Sequence, residues 1–322
     1  MKAIRVHQVG GPEAMKLEDI SVPEPGGGEA RVRLEAIGVN FIDTYHRSGL
    51  YKVALPFTPG MEGAGVVEAV GAAVKEFRVG DRVGYAGTLG AYAEQAVVPA
   101  EKLLPLPDGL DSRTAAAALL QGLTAHYLTR STFRLQPGHQ VLIHAAAGGV
   151  GLLLVQLAKR FGATVFGTVS TEAKAKAARA AGADHVILYT DSDFAAEVKK
   201  RTEGRGVDVV YDSVGKSTYE KSIASLAPRG MLVLFGNASG PVPPIDPLTL
   251  SSAGSIFMTR PTLFHHIAQR AELLERAAEL FSWVRSGELR LTIDRPLPLS
   301  EAAQAHRLLE GRQTTGKLLL IP

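Results

Sequence analysis

The sequence predicts an α/β protein in two parts: a doubly wound parallel sheet of six strands, and a discontinuous, mainly antiparallel β domain drawn from both ends of the chain. Three observations predict it. From Gln140 onward, short and continuously apolar β runs alternate with helical patterns. Before Asp111 the β runs are isolated, bounded by glycine, proline and aspartate, and joined by long connections. After Pro261 the strand–helix alternation stops, and the remaining pieces do not extend the parallel series.

In order, "KAIRV", "ARVRLEAIGVN", "GAGVVEAVG", "DRVGYAG" and "AEQAVVP" read as the strands of the first part, with "PEPGGGEA" (Pro23 to Ala30) a turn-rich loop between two of them. At Asp111 the pattern changes to the helix "DSRTAAAALLQGLTAHYLTR", which Asp111 or Ser112 can cap. Strand "QVLIHA" then leads to a helix from Gly149 to Lys159, "TVFGTV" to "TEAKAKAARAAG", "HVILY" to "DFAAEVKKRTEG" and "VDVVYDSVG" to "STYEKSIASLAP", before "GMLVLFG" and "SIFMT". Runs this apolar fit strands covered on both faces. The tail predicts one long amphipathic helix from Phe264 to Ser286, a strand "LRLTID", a helix from Ser300 to Glu310 and a last strand "GKLLLIP". The expected domains are 1–122 with 262–322, and 123–261.

Composition narrows the function classes. The 322 residues are 46% hydrophobic and 21% charged, with a net charge of +3, an ordinary balance for a globular protein and too weakly basic to argue for nucleic acid. The N-terminal "MKAIRVHQVGGPE" has no apolar core of a signal peptide. No apolar run reaches the roughly eighteen residues of a membrane span. A cytoplasmic location is therefore expected. There are no cysteines, which excludes disulfides, thiolate nucleophiles and Cys-ligated zinc.

The motif with chemistry is "HAAAGGVG", His144 to Gly151, between a predicted strand and a helix. Gly148 lets a pyrophosphate approach the backbone, Gly151 lets helix and strand pack closely, and free N–H groups at the helix start can face phosphates. The first position of the G-x-G-x-x-G fingerprint is Ala146, a small residue able to make the turn. An NAD site usually has an acid at the end of the second strand for the ribose hydroxyls. Here that position is neutral Ser170-Thr171, with Glu172 one step later, Lys174 on the helix and Tyr189 ending the third strand. Donors without an acid at that place suit a 2′-phosphate, so NADP is expected rather than NAD. "TPGMEGAGVVEAVG" (Thr58 to Gly71) carries Met61 where a zinc alcohol dehydrogenase has a histidine ligand. Glu62 alone cannot make a site that needs three protein ligands, and no metal is expected. The histidines show no ligand spacing; His144 reads as a packed residue.

These segments, with "GVNFIDTYHRSGLY", "VGDRVGYA", "LQGLTAHYL", "GTVST", "VVYDSVG", "LFGNASG", "FMTRPTL" and "TTGKLLLIP", resemble the zinc-free medium-chain dehydrogenases/reductases, specifically bacterial quinone oxidoreductases related to ζ-crystallin, over essentially the whole chain. The resemblance implies a Rossmann domain plus a GroES-like catalytic domain. It implies that Asn40, Tyr45 and Tyr51 line the substrate and nicotinamide end, with Thr124 and Gln121 near the nicotinamide. Gly148, Gly149, Val150 and Gly151 would meet the pyrophosphate, and Ser170, Lys174 and Tyr189 the adenosine ribose phosphate. Phe235, Asn237 and Arg260 would close on the cofactor, and Gly316 and Lys317 would bring in the last strand. Tyr51, then Tyr45, with Asn40 and Arg260, are the catalytic candidates. It also implies a homodimer or homotetramer through the edge strand near "GSIFMTRP".

Without zinc no Lewis acid polarises an alcohol, so the expected reaction is NADPH-dependent reduction of an electron-poor acceptor, a quinone. Reduction of an activated C=C bond in an enone or enoyl thioester is the alternative. A binding role, as a lens crystallin or on RNA, is the reading from another class, and the low net charge argues against it.

Overall fold

The computed structural model describes residues 1–322. The chain divides into two compact units, Met1–Leu123 with His266–Pro322, and Thr124–His265.

The first unit opens with β1 (Lys2–Val6) and β2 (Met15–Asp19), an antiparallel pair. It continues through β3 (Glu29–Val39), α1 (Phe41–Ser48), β4 (Glu62–Val70), β5 (Arg82–Ala86), β6 (Gln95–Pro99), β7 (Leu104–Pro105) and the start of α2 (Ser112–Tyr127). Asp111 caps α2, its Oδ1 accepting the Thr114 N–H at 2.7 Å. The second unit holds the predicted series: β8 (Gln140–Ile143), α3 (Gly149–Arg160), β9 (Thr164–Val169), α4 (Glu172–Ala180), β10 (His185–Leu188), α5 (Phe194–Arg201), β11 (Val207–Asp212), α6 (Tyr219–Ser225), β12 (Leu226–Leu234), α7 (Leu248–Ser252) and β13 (Phe257–Thr259). After α8 (Leu263–His266), the chain re-enters the first unit with α9 (Arg270–Ser286), β14 (Ile293–Pro298), α10 (Ala302–Glu310) and β15 (Lys317–Ile321).

The second unit is a six-stranded all-parallel sheet in the order β10-β9-β8-β11-β12-β13. Its central strands are wholly buried, with Leu142, Phe166, Val210 and Leu232 in one core. The order steps outward in both directions from β8 and β11, the topology that leaves a ligand crevice at the carboxyl ends of the strands. The first unit is a seven-stranded sheet, β14-β15-β3-β4-β5-β7, with β6 also paired to β3. All its pairings are antiparallel except that of β14 with β15.

Three tail expectations are corrected. The strand expected over "LRLTID" begins instead at Ile293 and runs through Pro296 and Pro298. Prolines argue against a central strand, but β14 is the edge of its sheet, where a missing N–H costs nothing. The single helix expected from Phe264 to Ser286 is two helices, because Gln269 is extended (φ −90°, ψ 128°) and Ile267 turns inward to 3% exposure. Arg276 Nε donates to the freed His266 carbonyl at 2.9 Å. The expected start of the last helix at Ser300 is a 3-10 turn, Leu299–Glu301, that leads into α10.

Candidate active-site elements

In the second unit, the glycine turn joins β8 to α3. Ala145 holds a positive φ of 50°, which swings the chain back on itself. Gly148 is the helix N-cap and supplies no side-chain cap; Gly148, Gly149 and Val150 are half-buried. The cap residue therefore offers no side chain to the first N–H groups of α3, and a helix start of this kind suits an anion. A Cβ at Gly151 would lie 2.2 Å from the Ala145 carbonyl oxygen. Only glycine lets the helix come this close to the turn. These residues fit a dinucleotide.

At the adjacent strand ends, Ser170 follows β9 and Tyr189 follows β10, whose parallel register pairs Leu188 with Val169. Thr171 caps α4 by accepting the Lys174 N–H at 3.3 Å, which places Lys174 in the first turn beside Ser170. Glu172, the one acid near the ribose position, is paired with Arg179 at 2.5 Å. On the other side of the sheet, Arg260 Nη1 donates to the Leu234 carbonyl at 3.0 Å, and Asn237, with its amide oxygen facing Arg260, accepts from Nη2 at 3.1 Å. This links the ends of β12 and β13 next to Phe235. Thr124 is 8% exposed on α2.

Beneath these ends lies a buried polar cluster that the sequence reading reduced to one packed histidine. His144 bridges Thr168 Oγ1 and Ser222 Oγ, each at 2.9 Å. Asp212 accepts from Ser222 and Thr218 hydroxyls and from the Val214 and Gly215 N–H groups, at 2.7–2.9 Å. Burial holds the imidazole below its ordinary pKa, against the pull of Asp212. One carboxylate thus fixes the loop that leaves β11, and the histidine ties β8 to β9 and α6.

In the first unit, sheet order brings three ends together. β15, β3 and β4 are neighbours, so Lys317 at the start of β15, Asn40 after β3 and Glu62 at the start of β4 share one edge. Lys317 Nζ donates to Glu62 Oε2 at 2.5 Å and to Asn40 Oδ1 at 2.8 Å; Asn40 Nδ2 donates to Glu62 Oε2 at 2.9 Å. Glu62 Oε1 accepts the Leu120 N–H of α2, next to Gln121. Lys317 and Glu62 are 2% and 0% exposed. Lys317, which the resemblance places at the cofactor, is ion-paired with Glu62 within this unit. Gly316 has φ 79° and makes the turn into β15.

Behind Asn40, Asp43 Oδ2 accepts the Asn40 N–H at 2.9 Å and the Tyr92 hydroxyl at 3.0 Å; Tyr92 also meets His306 Nε2 at 3.0 Å. Arg47 contacts His306 Nδ1 and makes a paired contact with Glu310. Burial pushes Asp43 up to about 7 and pushes His306 down to about 3, the latter helped by Arg47. The same helix α1 carries Tyr45, whose ring meets that of Tyr51 edge-on with centroids 5.2 Å apart. Tyr45 is 8% exposed.

Sequence reasoning missed Asp43, Tyr92, His306 and the Asp212 cluster. Only one signal was present: charged residues inside otherwise apolar strands, as with Glu62 and Lys317, which must find partners when buried.

The comparisons with known proteins agree along the whole chain. Residues 26–108 match the alcohol dehydrogenase GroES-like domain, and residues 149–283 match the zinc-binding dehydrogenase family. The chain is 50% identical to a quinone oxidoreductase of Pseudomonas aeruginosa over 100% of this chain and 99% of that one. It is 46% identical to a 2-haloacrylate reductase of a Burkholderia species, over 98% of each. A crystal structure of Escherichia coli quinone oxidoreductase complexed with NADPH superposes with a TM-score of 0.98 at 45% identity, covering 100% of both chains. The turn, the two-unit α/β fold and this full-length likeness place the chain in the zinc-free quinone oxidoreductase family of the medium-chain dehydrogenases/reductases.

Proposed function

We infer that this protein is an NADPH-dependent oxidoreductase that reduces quinones without zinc. The observation that carries the reading is the donor group Ser170, Lys174 and Tyr189 beside an uncapped glycine turn, with Glu172 drawn off by Arg179, in a chain whose full-length relatives are quinone oxidoreductases. Residues 123–261, close to the compact unit Thr124–His265, are the dinucleotide-binding domain, and 1–122 with 262–322 are the catalytic domain.

NADPH supplies the reducing equivalents. The chain supplies binding, orientation and proton handling. The α3 N-terminus and the backbone at Gly148, Gly149, Val150 and Gly151 hold the pyrophosphate. Ser170, Lys174 and Tyr189 hold the 2′-phosphate. Phe235, Asn237 and Arg260 close on the cofactor, with Gln121 and Thr124 at its nicotinamide. Tyr51 donates a hydrogen bond to the oxyanion that forms on the reduced ring, and the edge-on Tyr45 orients it. A quinone asks little more, because its reduction yields a stable aromatic product.

A specific observation favours a second reading, reduction of an activated C=C bond: the 46% identity to a 2-haloacrylate reductase. The enzyme works in the cytoplasm as a homodimer or homotetramer. The support for assembly is β13, an edge strand whose Phe257 and Met258 are 58% and 38% exposed.

The test follows NADPH and NADH oxidation with 1,4-benzoquinone, a naphthoquinone, a medium-chain enone, 2-chloroacrylate and crotonyl-CoA. Quinones are expected to turn over fastest, with NADPH preferred, and with zinc and chelator both without effect. Faster turnover of any alkene moves the assignment to C=C reduction. Turnover of none overturns both.

A further inference from the structure

Ala145 is the residue of the glycine turn that holds a positive φ, a left-handed conformation that a residue with a Cβ keeps only where its neighbours impose it. Ala145 is itself exposed, so the constraint falls on the residues beside it. On one side, the Ala146 N–H donates to the Thr168 carbonyl at 3.0 Å. On the other, the His144 N–H donates to the Tyr211 carbonyl at 3.1 Å, and the His144 ring meets the Thr168 hydroxyl at 2.9 Å. Thr168 therefore grips the chain on both sides of Ala145. The protons of this cluster can be placed by counting. Asp212 has four donors on its two oxygens, which leaves its carboxylate only accepting. One of those donors is the Ser222 hydroxyl, at 2.9 Å. With its single proton spent there, Ser222 Oγ can only accept from His144 Nε2. Nε2 thus carries the N–H, and Nδ1 of the neutral ring accepts from the Thr168 hydroxyl. Burial favours that neutral ring, and the Phe194 ring packs on it edge-on with centroids 4.7 Å apart. The result is a one-way chain from Thr168 through His144 and Ser222 to Asp212, with each residue at most 2% exposed.

We propose that His144 is a positioning residue for the dinucleotide site: as the Nε2–H tautomer it pins the end of β8 to β9 and α6, holds Ala145 in its left-handed conformation, and so keeps the glycine turn in the shape that takes a pyrophosphate. The proposal rests on the NADPH reading. It gives His144 no contact with the cofactor, and it concerns the pyrophosphate that NADPH and NADH share rather than the 2′-phosphate that separates them. An apolar side chain at residue 144 would fill the space and leave the Thr168 and Ser222 hydroxyls unlinked. A glycine at residue 145 would need no holding, because it adopts a positive φ freely.

The experiment is a double-mutant cycle read by NADPH and NADH dissociation constants, from nicotinamide fluorescence, with melting temperatures followed alongside. His144→Leu is expected to raise both Kd values about fivefold, the size of one net hydrogen bond. In the Ala145→Gly background, His144→Leu should add no more than about twofold over Ala145→Gly alone, because the conformation it holds no longer carries strain. A full fivefold penalty in that background overturns the proposal. So does a wild-type Kd in the folded His144→Leu variant, or a loss confined to NADPH. Because His144→Leu can unfold the chain, Thr168→Val, which exchanges one hydroxyl for a methyl group, is carried through the same cycle, with the same pattern expected and the same results overturning it. Nitrogen-15 spectra of the histidine-labelled protein at neutral pH, with the His144 signals assigned by through-bond correlation, should show Nδ1 as the unprotonated nitrogen; a protonated Nδ1 overturns the chain. A wild-type protein that binds neither dinucleotide would overturn the NADPH reading and this inference with it. Binding without quinone turnover would overturn the proposed acceptor alone and leave the inference standing.

Discussion

Ala146 and Gly167 share one space: a Cβ built at Gly167 on β9 would lie 2.8 Å from the Cβ of Ala146. Ala146 is wholly buried and stands at the first glycine position of the dinucleotide fingerprint. The neighbouring strand has given up a side chain so that the turn can carry a methyl group. The departure from G-x-G-x-x-G is thus compensated within the sheet.

This coupling is testable. Gly167→Ala should destabilise the protein by about 1–3 kcal/mol, the usual cost of forcing a methyl into a packed interior, and should weaken NADPH binding by displacing the turn. Ala146→Gly in the same chain removes the opposing methyl and should recover most of both losses. Melting temperatures and NADPH Kd values for the two single variants and the double variant measure this. Losses that simply add would show that the two positions do not compete.

How much of this was legible depends on distance along the chain. The parallel sheet could be read because each strand is a continuous apolar run and its cover is a neighbouring helix. β2 was invisible because its "MKLED" is mostly exposed and polar, and β14 because prolines hid an edge strand. The candidate residues on motifs, Gly148 to Gly151 and Ser170 to Lys174, are local, so a single stretch of sequence displays each group. Glu62 and Lys317 stand 255 residues apart. Each is visible as a charge in an apolar strand, but only the order β15-β3-β4 pairs them. The same holds for Asp43, Tyr92 and His306, polar residues whose partners are set by topology.

The donor group at the end of β9 makes a graded prediction. Lys174→Ala should raise the NADPH KM about tenfold or more, as for the loss of a charge-assisted phosphate contact, and the NADH KM less than about twofold. Arg179→Ala should act in the same direction but more weakly. The Glu172–Arg179 pair is 66% and 52% exposed, and pairs of that kind are worth at most about 1 kcal/mol. Freeing Glu172 should narrow the NADPH preference a few-fold by leaving an anion near the 2′-phosphate. Steady-state kinetics with both cofactors decide it, and equal effects of Lys174→Ala on the two KM values would refute the assignment of the 2′-phosphate site.

Asp43 and His306 touch the same Tyr92 hydroxyl, and burial shifts their pKa values in opposite directions. Asp43 is raised to about 7 when folded, so the stability tied to its protonated form is complete below the unfolded carboxyl value near 4 and is lost as pH rises toward 7. His306 is lowered to about 3, so its neutral form contributes stability above the unfolded value near 6.5, lost as pH falls toward 3. Between about pH 4 and 6.5 the two slopes have opposite signs, each at most about 1.4 kcal/mol per pH unit, and the wild-type melting temperature should change little through this pair. Each single variant should unmask the other residue. Asp43→Asn should melt higher as pH rises from 4 to 6.5, with the neutral histidine now unopposed. His306→Gln should melt lower over the same range, with the buried carboxylate forced to ionise. Melting curves of the three proteins across that window test the sign directly, and slopes of the same sign in both variants would show that Tyr92 does not join two opposed titrations.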